Sequence, residues 1–117
     1  MSSVKDMRTF RNAQEITEIE WAEVLRDKKV RVSPHAAAYL TGAQRKAFKE
    51  EELIFLVART VPRVVLLQEN GRYAAHYRKP ESYRKIIIEV RDNEAVVVTF
   101  MNEKELPRRS IEVSGNQ

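Results

Sequence analysis

Two hydrophobic periods divide this chain. From Arg63 to Met101 apolar and polar residues alternate with a period of two, the signature of half-buried strands. Before Arg63 the apolar positions recur at three and four, the spacing of one helix face. The alternating part breaks into two hairpins in succession. The first turns at Asn70-Gly71, whose residues tolerate the positive φ of a two-residue type I′ loop. The second turns at Asp92-Asn93, and Lys79-Pro80-Glu81-Ser82 separates the two, because proline cannot continue a ladder.

A two-residue loop at Asn70-Gly71 sets a register in which Val65 faces His76 and Leu66 faces Ala75. One face of this hairpin then carries Val64, Leu66, Tyr73, Ala75 and Tyr77, and reads as core. The other carries Val65, Leu67, Arg72, Ala74, His76 and Arg78, and reads as partly covered. In the second hairpin Arg91 faces Glu94 and Ile86 faces Thr99. Ile86, Ile88, Val90, Val97 and Thr99 share one side; Lys85, Ile87, Glu89, Val96, Val98 and Phe100 share the other. The apolar run Ala95 to Val98 suits an interior strand.

The N-terminal part is helical. Residues 1 to about 15 show no period. Thr17 and Glu20 have capping-box spacing and open a helix to about Lys28, with Ile19, Trp21, Ala22, Val24 and Leu25 as its apolar side. Val30 to Val32 forms a short extended link or edge strand. Ser33 and Pro34 then announce a second helix as N-cap and first helical residue, ending or kinking at Thr41-Gly42 and leaving His35 in its first turn. A third helix spans about Lys49 to Thr60; Leu53, Ile54, Leu56 and Val57 lie against the sheet, and Pro62 stops it. A last strand at Ser110 to Val113 is a further candidate.

The pattern predicts one α+β domain over residues 1–117, with N-terminal helices packed on a four-stranded antiparallel sheet. Residues 1–29 form an N-terminal helical extension, 30–101 the core and 102–117 a polar tail. No apolar run is long enough for a bilayer span, so the reading includes no membrane partner. The absence of cysteine excludes disulfides and thiolate metal sites and suits the reducing cytoplasm. Net charge is +4, and the window from Arg63 to Arg91 alone carries seven Arg or Lys against three Glu. Such a basic sheet, interleaved with Tyr73, Tyr77 and Tyr83, has the side chains to hold phosphate and stack bases; a solubilising surface is the plainer alternative.

Motifs for nucleotide binding, zinc proteolysis and serine hydrolysis are all missing. A zinc site would need His35, His76 and a carboxylate to converge, and the reading assigns neither metal nor cofactor. Acid–base chemistry is what remains. His35 and His76 are the side chains that titrate near neutrality. Metal-independent RNA cleavage needs a base, an acid and cations for the phosphorane charge, the last from Arg72, Arg78, Arg84 or Lys85.

Ser33-Pro34-His35-Ala36 opening a helix, an acidic-start helix, the Asn70-Gly71 hairpin, the Tyr83-Arg84-Lys85-Ile86 strand and the Val96-Val97-Val98-Thr99-Phe100 strand together resemble small domains of the RelE-like ribonuclease-toxin superfamily, a grouping that embraces barnase-like and colicin-like nucleases. The resemblance covers about Val32 to Phe100. It implies N-terminal helices against a four-stranded antiparallel sheet, metal-independent RNA cleavage and restraint by an antitoxin or immunity partner. The family's helix histidine falls on His35, its last-strand hydroxyl on Thr99, and its basic sheet positions on Arg72 or Arg84. The chain departs from the family in its short, partly acidic C-terminal segment.

The leading expectation is therefore a toxin-type ribonuclease with His35, Thr99 and Arg84 in one cleft, and with Arg72, His76, Arg78 and Lys85 holding RNA. The alternatives are a non-catalytic nucleic-acid-binding or protein-interaction module of the same fold, and a homodimer completed through a sheet edge.

Overall fold

The computed structural model describes residues 12–38 and 50–107. Strand β1 (Asn12–Ile16) leads into helix α1 (Glu18–Leu25), strand β2 (Lys29–Val32), helix α2 (Pro34–Ala38) and helix α3 (Glu50–Arg59). Strands β3 (Val64–Gln68), β4 (Tyr73–Arg78), β5 (Tyr83–Val90) and β6 (Glu94–Glu103) follow. They form one six-stranded sheet in the order β1-β3-β4-β5-β6-β2. The expected four-stranded meander is its centre. Two strands from the N-terminal part extend it: β1 pairs antiparallel with β3, and β2 pairs parallel with β6. The expected end of the second helix at Thr41-Gly42 and the strand at Ser110 to Val113 lie outside the described residues.

The helix boundaries follow local chemistry. The Thr17 hydroxyl accepts from the Glu20 N–H at 3.1 Å and the Glu20 carboxylate accepts from the Thr17 N–H at 2.8 Å, a complete capping box. Helix α1 stops at Leu25, short of the expected Lys28, because Asp27 takes φ 61° and Lys28 N–H turns back to the Leu25 carbonyl. Only part of its expected apolar face turns inward: Trp21 is buried and Ile19 is 78% exposed. At α2 the Ser33 hydroxyl accepts from the Ala36 N–H at 3.0 Å.

Both hairpins depart from the expected register, each by one residue and for a different reason. At the first, Gly71 N–H donates to the Gln68 carbonyl at 2.9 Å and Gln68 N–H to the Arg72 carbonyl at 2.8 Å. That closes a three-residue loop, Glu69-Asn70-Gly71, in which Gly71 alone takes positive φ, +88°. The Asn70 side chain accepts from the Arg72 N–H at 3.0 Å and holds the loop from within. Val64, rather than Val65, therefore faces His76. Val65 and Leu67 join Tyr73, Ala75 and Tyr77 on the helix side, while Val64, Leu66 and Gln68 turn to the outer side with Ala74 and His76.

The second hairpin keeps its expected register next to the turn, where Val90 faces Ala95 and Ile88 faces Val97. Val98 then has no partner, and past this bulge Ile87 faces Thr99 and Ile86 faces Phe100. Thr99 and Phe100 have exchanged faces relative to a straight ladder.

The core lies between helices and sheet. Trp21, Ala36, Leu53 and Val57 pack on Val65, Ala75, Tyr77, Ile86, Ile88 and Val97. The outer face is also closed along its middle: Val64, Leu66, Gln68, Ala74, His76, Ile87 and Val96 are all buried. Its accessible part is confined to the margins. Among the described residues no helix is long and apolar enough to cross a membrane.

Candidate nucleic-acid interface

Strands β4 and β5 carry the expected nucleic-acid residues, and their pairing decides which of them meet. Arg78 faces Tyr83, His76 faces Lys85 and Ala74 faces Ile87, all on the outer face. Pro80-Glu81 makes a tight loop, closed by the Lys79 N–H donating to the Ser82 carbonyl at 2.9 Å. Strand β6 runs far enough to place Glu103 opposite Tyr83, so Lys104 arrives beside the same loop. The Lys79 ammonium reaches across to donate to Asn102 Oδ1 at 3.3 Å. Between these elements lies an open cleft of about 250 Å³, lined by Arg78, Lys79, Glu81, Ser82, Tyr83 and Lys104.

The charges on the outer face fall into two groups. At the end near the Asn70-Gly71 loop, Glu89 accepts from Arg72 at 3.0 Å and from Arg91 at 3.1 Å. Those hydrogen bonds, Arg91 first, hold the Glu89 carboxyl below the usual range. Lys85, nearer the middle, lies 3.7 Å from Glu103. At the β4–β5 loop the situation differs. Among the described residues no ion pair within 4.0 Å joins Arg78, Lys79 or Lys104 to a carboxylate. Partial burial and then the nearby Arg84 charge pull the Lys79 ammonium below its ordinary value, while Glu52 pulls the other way.

His76 lies next to this region but under the surface. It is 1% exposed, with Nδ1 3.6 Å from a Glu103 oxygen. Burial, then the charge on Lys85, lowers its pKa from 6.5 to about 4, so the ring is neutral near pH 7. The contact with Glu103 is consequently neither an ion pair nor, at 3.6 Å, a hydrogen bond.

The three expected catalytic side chains take up different positions. His35 is exposed in the first turn of α2, next to Ala36, which is in the helix-side core. Thr99 sits half-buried just past the Val98 bulge, and its pairing with Ile87 places it on the outer face. Arg84 lies on the helix side, 8% exposed, with its guanidinium 5.7 Å from the Phe100 ring centroid. Burial lowers the Arg84 pKa and the Glu52 carboxylate offsets part of that, as suits a cation holding the sheet margin to the start of α3. Arg84 and Thr99 thus stand on opposite faces of the sheet. Of the four expected binding residues, Arg78 lines the cleft, Lys85 and His76 lie beside it, and Arg72 is at the far end.

Of the three tyrosines, Tyr73 packs on Trp21 with ring centroids 5.1 Å apart, Tyr77 is fully buried, and Tyr83 lines the cleft. Glu103 and Lys104 belong to the site although the sequence pattern places them in a polar tail. The signal for them was the length of β5: an eight-residue strand starting at Tyr83 needs a partner that runs past Met101. Among the described residues no cluster of three or more potential metal-binding side chains occurs. Comparison with family models, curated proteins and solved structures finds no match for this chain.

Proposed function

We propose that this protein is a non-catalytic nucleic-acid-binding module that holds single-stranded RNA at the β4–β5 end of its sheet. The observation that carries the reading is the cleft itself. Three cations, Arg78, Lys79 and Lys104, converge there without a carboxylate in ion-pair range among the described residues, with the Tyr83 ring beside them. Uncompensated cations gain most from phosphate, because no internal ion pair has to be broken first, and an exposed aromatic offers a stacking platform. With no cysteine to depend on oxidation, the proposal puts the module in the cytoplasm.

The test is fluorescence anisotropy with labelled single-stranded RNA across a salt series. Affinity should fall log-linearly with salt, with a slope corresponding to about two or three phosphate contacts. Binding that is absent at low salt, or indifferent to salt, removes the proposal.

A second reading is the ribonuclease implied by the resemblance to RelE-like domains. The observation that favours it is a neutral imidazole 3.6 Å from a carboxylate, beside a lysine, on the face that bears the cleft. Against it, the His76 ring is 1% exposed and reaches a substrate only if the strands part. Metal-free incubation with labelled RNA separates the two: intact RNA after prolonged incubation supports the binding module. Cleavage abolished by His76→Ala but not by His35→Ala would support the nuclease.

A further inference from the structure

We infer that the cleft at the β4–β5 loop is a seat for a terminal phosphate monoester of a nucleic-acid strand. The inference rests on the nucleic-acid reading above and goes further, because it names the group that is recognised.

The first argument is charge. Arg78, Lys79 and Lys104 line the cleft against Glu81 alone, so three positive charges less one negative leave +2. An internal phosphodiester carries a single negative charge. A terminal monoester carries about −1.5 to −2 at pH 7 and presents three strong acceptor oxygens. The monoester matches the cleft; the diester leaves a cation unsatisfied.

The second argument is size. At about 250 Å³ the cleft is smaller than the roughly 300 Å³ at which sites for whole small molecules begin. It accommodates a phosphate with part of its sugar, so the rest of the ligand continues outside. Tyr83, on the cleft wall, is placed for the first base to stack on it.

The third argument is preorganisation. Pro80 stiffens the loop, the Lys79 N–H closes it on the Ser82 carbonyl at 2.9 Å, and the Lys79 ammonium is anchored on Asn102 at 3.3 Å. Cations held together this way repel one another, and a bound dianion relieves that repulsion. The Ser82 side chain adds a hydroxyl donor at the cleft wall.

The test uses the full chain and single-stranded RNAs of one sequence that end in a 5′-phosphate, a 3′-phosphate or hydroxyls only. One phosphorylated form should bind about tenfold more tightly than the hydroxyl form. That preference should disappear in Lys104→Ala, an exposed substitution whose folding is checked by its melting temperature. Equal, salt-dependent binding of all three strands overturns the monoester seat and leaves the nucleic-acid module standing. Absence of binding to any strand overturns both. A serine phosphopeptide that binds as tightly as the phosphorylated strand overturns the commitment to nucleic acid.

Discussion

The two ends of the sheet's outer face carry similar side chains in different surroundings. At one end Arg72 and Arg91 share Glu89, with contacts of 3.0 and 3.1 Å. At the other, about 20 Å away for six residues of strand, Arg78, Lys79 and Lys104 surround a cleft with Glu81. Counted along the sequence the two clusters look alike. In space the first is internally neutralised and the second is not. A basic stretch is therefore a poor guide to a binding surface until its carboxylates have been placed, since an exposed cation already bonded to a carboxylate gains little by exchanging it for a phosphate.

The contrast depends on the middle of the face staying closed, and the strongest test bears on His76. In the unfolded chain His76 takes up a proton near pH 6.5, whereas in the folded protein it does so only near pH 4. Between those values the unfolded state binds more protons, so stability is full above 6.5, falls as pH drops through this window and levels off below 4. The total loss attributable to this group is about 3 kcal/mol. Urea denaturation of wild type and His76→Leu at pH 7 and pH 4.5 should show a much smaller pH dependence in the variant. Identical pH dependence in the two proteins would mean that the outer face opens freely to solvent.

The comparison of the ends is sharpened next by paired substitutions. Arg78→Ala combined with Lys104→Ala should weaken RNA binding about tenfold and reduce the salt slope by about two. Arg72→Ala should change affinity less than about twofold, because its guanidinium is already engaged by Glu89. Equal losses at the two ends would erase the distinction. The smallest expected effect is the reverse experiment. Glu89→Gln removes the shared carboxylate and releases both arginines, and RNA affinity should rise about twofold at low salt and be unchanged at high salt.

Much of the architecture was legible in the sequence because its signals are local. The Thr17–Glu20 capping box, the Ser33-Pro34 helix start, the apolar stripe of α3 and the β-branched strands each depend on residues a few positions apart. Strand β1 was not legible. Asn12 to Ile16 has no apolar alternation, and its strand conformation comes from backbone pairing with β3, which no side-chain pattern announces. The candidate site was legible in part. Arg78 belongs to the cleft as expected from the basic window, whereas Arg84, with the same charge on the same strand, faces the helices.

What the sequence determined alone is therefore the list of elements, their caps and the concentration of cations between Arg63 and Arg91. Which residues look inward and which cations stay uncompensated was decided only in the tertiary structure. Two single-residue events did most of this, the αL conformation of Gly71 and the unpaired Val98. Glycine is compatible with more than one loop, and a bulge leaves no mark in composition. In a strand of period two, either one is enough to exchange inner and outer faces for everything beyond it.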